Sequence, residues 1–133
     1  MFKFIRLICR VHVYATEDPE KVKKAVQNLL SDASYSVKKT RLEGHFGDPI
    51  TVYEYSVEDE RDAESIFQRV VSAVGFGSVG VEEKSRGGGK LHVRVDKQKA
   101  FLGELVAEDV DPVKLEFSYL GDWREAKKWL KFT

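Results

Sequence analysis

The chain has 133 residues, 42% of them hydrophobic and 11% aromatic, which suits one domain with its own core and excludes a disordered chain. Lys and Arg number 22, as do Asp and Glu, so the formal net charge is zero and any grip on phosphates must come from a local patch. The lone cysteine, Cys9, excludes an internal disulfide framework or a cysteine-based zinc cluster and points to the reducing cytoplasm.

Lys3 to Tyr14 predicts a first strand, with Ile5, Leu7, Cys9, Val11 and Val13 on one apolar face and Arg6, Arg10 and His12 on a mixed one. Those polar residues also break the apolar centre that a signal peptide needs, and no stretch approaches the roughly 20 apolar residues of a membrane span. No membrane partner is expected. Thr16 or Asp18 can cap a helix with Pro19 at its first position; Val22, Ala25, Val26, Leu29 and Leu30 then form one apolar stripe.

Tyr35 to Leu42 and Ile50 to Val57 predict two strands paired antiparallel across the short segment 43–49. A second amphipathic helix follows, about Asp59 to Val74, with a stripe of Ala63, Ile66, Phe67, Val70, Val71 and Val74 ended by Gly75 and Gly77. Ser78 to Gly89 carries the least pattern, and Gly87-Gly88-Gly89 reads as a turn or loop. A fourth strand around Leu91, Val93 and Val95 leads into a turn of helix over Lys97 to Leu102, capped by Asp96 and stopped at Gly103. Val113, Leu115, Phe117 and Tyr119 mark a last strand, and Asp122 can cap a short C-terminal helix bearing Trp123, Ala126, Trp129 and Leu130. The expected fold is α+β over residues 1–133 as a single domain: an antiparallel sheet of about five strands, two main amphipathic helices on one face and a short C-terminal helix. The opposite face is left partly open for a partner.

Gly44-His45-Phe46-Gly47-Asp48-Pro49 is the sharpest local signal. It is either a contact loop presenting His45 and Phe46 or a plain hairpin turn whose Phe46 folds back on the core. His45 with Asp48 does not make a catalytic set, because no nucleophile or metal spacing accompanies it, and the chain is expected to be no enzyme, with no metal and no cofactor. Arg86-Gly87-Gly88-Gly89-Lys90 is either an RNA-binding arginine–glycine segment or a hairpin tip. Basic side chains gather on Lys38, Lys39 and Arg41, on Arg86, Lys90 and Arg94, on Lys97 and Lys99, and on Arg6 and Arg10, as one RNA-binding strip or as ordinary solvated charge.

Three segments, 13–18, 44–50 and 94–105, the last ending Phe101-Leu102-Gly103-Glu104-Leu105, resemble an archaeal RNA-binding family whose members are described as predicted exosome subunits. The resemblance runs to about Phe117. It implies a small non-enzymatic protein with a fold like the ribosomal protein that carries 5S RNA, RNA as partner, and association with RNA-processing proteins. On that footing Arg41, Arg94, Lys97 and Lys99 are expected to hold phosphates, and His45 and Phe46 to stack on or edge-contact bases. Asp48 departs from the family's pattern, where Asn is expected, and puts a negative charge in the contact loop. The tail from Gly121 to Thr133, with two tryptophans, lies outside the resemblance; with Phe117 and Tyr119 it motivates the rival expectation, a protein–protein adaptor or homodimer.

Overall fold

The computed structural model describes residues 2–44, 47–84 and 87–129, with Trp129 as backbone only. Its centre is β1, Lys3–Tyr14, whose alternation puts Leu7, Cys9, Val11 and Val13 into the core. A β-bulge between Phe4 and Arg6 changes the phase: Phe4 turns inward and Ile5, expected on the core face, is only half-buried. β2, Ser36–Glu43, and β3, Pro49–Val57, pair antiparallel as expected. β6, Val113–Leu120, lies on the other side of β1, followed by β5, Gly88–Val95, and the edge strand β4, Gly80–Lys84. The sheet thus has six strands in the order β2-β3-β1-β6-β5-β4, every pairing antiparallel.

β4 is the strand that the sequence did not announce. All five of its residues are exposed, so no apolar alternation marks it, and backbone pairing to β5 alone makes it a strand. Gly88 and Gly89 likewise belong to β5 and not to a loop. A Cβ on Gly89 would collide with the backbone carbonyl of Glu82 on β4, so glycine there serves a close approach between strands.

Helix α1, Pro19–Leu30, starts where Asp18 accepts a hydrogen bond from the Glu20 N–H at 3.0 Å. Helix α2, Glu60–Val74, starts in the same way, with Asp59 accepting from the Asp62 N–H at 3.0 Å. Their apolar stripes pack on the inward side of β1, and Arg69 of α2 donates to the Leu29 carbonyl at the end of α1. Phe67 is fully buried against Phe4 and Phe117, with ring centroids 4.9 and 5.0 Å away, a side chain whose removal costs about 3–5 kcal/mol. The single turn α3, Lys97–Phe101, is tied to α1 through Asn28, whose amide donates to the carbonyls of Ala100 and Phe101. α4, Trp123–Trp129, opens at Asp122, which accepts from the Arg124 N–H at 2.8 Å. Trp123 is buried among Phe2, Phe67, Phe76 and Tyr119. Burial also pushes the Cys9 thiol up to about 12, so it stays protonated inside the core. Among the described residues no helix is long and apolar enough to cross a membrane.

Candidate nucleic-acid interface

With the helices gathered on one side, the outward positions of all six strands form one continuous open face. The register decides what lies there. Seven outward positions are basic (Arg6, Arg10, Lys38, Lys84, Lys90, Arg94, Lys114) and three acidic (Glu54, Glu82, Glu116). A neutral chain therefore concentrates an excess of positive charge on one surface. Lys38, Glu54, Arg10, Lys114 and Arg94 stand in direct cross-strand register, a row running across five strands at right angles to them.

The row is partly neutralised and partly free. Arg10 donates from Nε and Nη2 to Glu54 at 3.1 and 2.9 Å, which fixes its guanidinium in the middle of the sheet. Lys90 donates to Glu116 at 2.7 Å, and that bond raises the lysine's pKa. Arg94 has only a 4.0 Å contact with the exposed Asp109, and no ion pair involves Lys38 or Lys114 among the described residues. His12 lies at the end of the face nearest Tyr14, their rings 6.4 Å apart. Burial, and after it the charge on Lys114, holds its pKa below the usual imidazole value, so it is neutral at pH 7. Leu42, Ile50 and Val52 extend that end into an apolar corner beside the β2–β3 turn.

A scan against protein families matches residues 6–119 to the family described as RNA binding. The chain belongs to that RNA-binding family. A relative from Pyrococcus abyssi named RNA-binding protein is 30% identical over 141 aligned residues, covering 92% of this chain and 90% of its own length. A DUF54 protein from Methanothermobacter thermautotrophicus has the same fold, with a TM-score of 0.73 at 24% identity over 97% of this chain and 99% of that one. A further DUF54 protein, from Sulfolobus solfataricus, gives a TM-score of 0.72 at 23% identity over 95% and 94% of the two chains. The family match ends at residue 119, before α4.

Within this family member the four described residues among the six expected to bind RNA do not share one surface. Arg94 is on the open face and half-exposed. Arg41, paired with Thr51, points to the helix side of the sheet at its far edge. Lys99 is exposed on α3 and 3.7 Å from Glu104. Lys97 is a correction: only 6% of its side chain is exposed, and its ammonium donates to the His12 carbonyl at 2.7 Å, to Glu17 at 3.0 and 3.2 Å and to Asp111 at 2.8 Å. Its three donors are taken, so it has none to give a phosphate. His45 and Phe46 lie outside the described residues.

Arg10, Lys38 and Lys90, which the sequence offered either as part of an RNA-binding strip or as solvated charge, lie on the open face, and Lys114 is the basic residue of the row that the sequence did not single out. For Arg10, Lys90 and Lys114 the alternation of β1, β5 and β6 already marked an outward position, whereas Lys38 lies on β2, which is exposed throughout and carries no such signal. Their alignment required the strand order, which places β6 between β1 and β5. Of the aromatic residues expected to offer a docking surface, Phe117, Tyr119 and Trp123 are buried in the core, and the Trp129 side chain lies outside the described residues.

Proposed function

We propose that this protein is a non-catalytic RNA-binding protein whose open sheet face carries the sugar–phosphate backbone across the strands. The observation that carries the reading is the register row of Lys38, Arg10, Lys114 and Arg94 on a face with seven cations and three carboxylates. The row covers four interstrand steps, about 19 Å, room for several nucleotides. Family membership and the name of the Pyrococcus abyssi relative support RNA as the ligand. Phosphate contacts of this kind position a chain without reading its sequence. Arg41 and Lys99 would touch RNA that turns over the sheet's edges, and His45 and Phe46 would supply base stacking. The accessory place in archaeal RNA processing implied by the resemblance is the setting we propose for it.

The reading of no catalysis rests on the chemistry of the face. It offers cations and hydrogen-bond donors; His92 faces the exposed carboxylate of Glu82 at 3.1 Å, and Ser78, the hydroxyl that lines the same cavity of about 410 Å³, is bonded to the Val74 carbonyl at 3.2 Å and has no general base bonded to it among the described residues. Burial of Phe117, Tyr119 and Trp123 removes three of the four aromatic residues that motivated the adaptor reading. A salt titration of single-stranded RNA binding is the direct test. Four phosphate contacts predict a slope of log affinity on log salt of about −3. Undetectable binding at low salt, or a slope near zero, would sink the proposal.

A further inference from the structure

We propose that Lys90 and Glu116 together read the Watson–Crick edge of one unpaired guanine, seated in a groove at the β4 end of the open face. This deepens the RNA-binding reading and rests on it. The groove has a volume of about 430 Å³, within the range of small-molecule sites. Half-buried Ile5 and Ile8 line it, as do the more exposed Arg6 and Lys84. Gly88 and Gly89 also line it, and at Gly88, where a Cβ would meet the Tyr119 carbonyl oxygen at 2.9 Å, β5 lies close against β6.

Glu116 is anomalous on this face. Its side chain is 14% exposed, the least of any carboxylate in an ion pair among the described residues. On a surface that attracts phosphate, a carboxylate weakens binding to every backbone alike. It becomes useful there if it selects. Lys90 donates one hydrogen bond to Oε1 at 2.7 Å, whereas Arg10 Nη1 is 4.0 Å from Oε2, too far for a hydrogen bond. An ionised carboxylate has about four acceptor sites and an ammonium three donors, so both groups keep capacity toward the groove. Side by side they present donor, acceptor, acceptor. Guanine presents the complement: the O6 acceptor, then the N1–H and N2–H donors. Uracil offers one donor between two acceptors, and neither cytosine nor adenine has two adjacent donors on that edge. Ile8, directly opposite Glu116 in the β1–β6 register, gives the base an apolar neighbour, while Arg6 and Lys84 supply charge for the flanking phosphates.

The experiment compares short oligouridines carrying guanosine, inosine or uridine at the central position, by fluorescence anisotropy at low salt. The guanosine strand should bind about tenfold tighter than all-uridine, and inosine, which lacks the 2-amino group, should lose most of that gain. Glu116→Gln should bring the guanosine-to-uridine ratio to within about twofold without weakening the all-uridine strand. Lys90→Ala should also erase the preference while lowering affinity for all three. Equal binding of the three strands by the wild type, or a guanosine preference that survives Glu116→Gln, would overturn the guanine assignment and leave RNA binding standing. No binding of any strand would instead remove the RNA reading and this one with it.

Discussion

Two groups of cations in this protein look alike in sequence and do opposite work. Lys97 is sunk at the junction of β1, the β1–α1 loop, α3 and the loop before β6, its charge enclosed by Glu17, Asp111 and the His12 carbonyl. Lys38, Lys114 and Arg94 stand in register on the open face with little or no opposing charge. A buried lysine survives only with its donors filled, and filling them takes it out of recognition. A surface cation left without a partner keeps its attraction for an incoming phosphate. The difference lies in the partners.

The largest effect should come from breaking the first group. Lys97→Ala strands two carboxylates that keep 28% and 34% of their side-chain exposure. The expected loss of folding stability is on the order of 3 kcal/mol, the low end for a buried pair because that exposure softens the penalty. Urea denaturation monitored by circular dichroism measures it. At temperatures where the variant is folded, RNA affinity should be nearly that of the wild type. A strong loss of affinity without a loss of stability would put Lys97 back among the RNA ligands.

The second group should answer in the reverse way. Arg94→Ala combined with Lys114→Ala should leave stability within about 0.5 kcal/mol, as surface substitutions do. The same double variant should flatten the salt slope of RNA binding by about 1.4, some 0.7 for each contact removed. Unfolding that moves while the slope stays would mean that the open face is structural and that the comparison is drawn in the wrong place.

Sequence carried the scaffold and only half of the site, for reasons that particular residues show. β1, α1 and α2 were legible because burial imposes a period, and Asp18, Asp96 and Asp122 cap helices at positions the sequence offered, while Asp59, expected as the first residue of the second helix, caps it instead. β4 was not, because a strand exposed at every position has no period to read. Arg94 was legible as an outward residue of an alternating strand. The burial of Lys97 was hidden, since its carboxylate partners lie 80 and 14 residues away in the chain and meet it only in the folded protein. Lys114 was visible as an outward residue, but its place between Arg10 and Arg94 depends on β6 inserting beside β1.

His12 joins the two regions and gives the smallest effect. Its backbone carbonyl accepts from Lys97, while its ring lies on the open face, where burial and Lys114 hold its pKa below the ordinary value near 6.5. A lowered folded-state pKa means that the unfolded chain takes up the proton first. The stability His12 contributes is therefore present above pH of about 6.5 and is lost as the pH falls through the folded-state pKa. The ring is only partly buried, so the change is well under about 1 kcal/mol. Between pH 7.5 and 5.5 the melting temperature of the wild type should fall slightly more than that of His12→Asn. Phosphate binding should have the opposite sign, because a protonated His12 adds a cation beside Lys114, and RNA affinity should rise over the same interval in the wild type alone. If His12→Asn changes the stability difference but not the affinity difference, the ring belongs with the Lys97 clamp. If both differences vanish together, one residue serves both regions, and the boundary between them runs through its side chain.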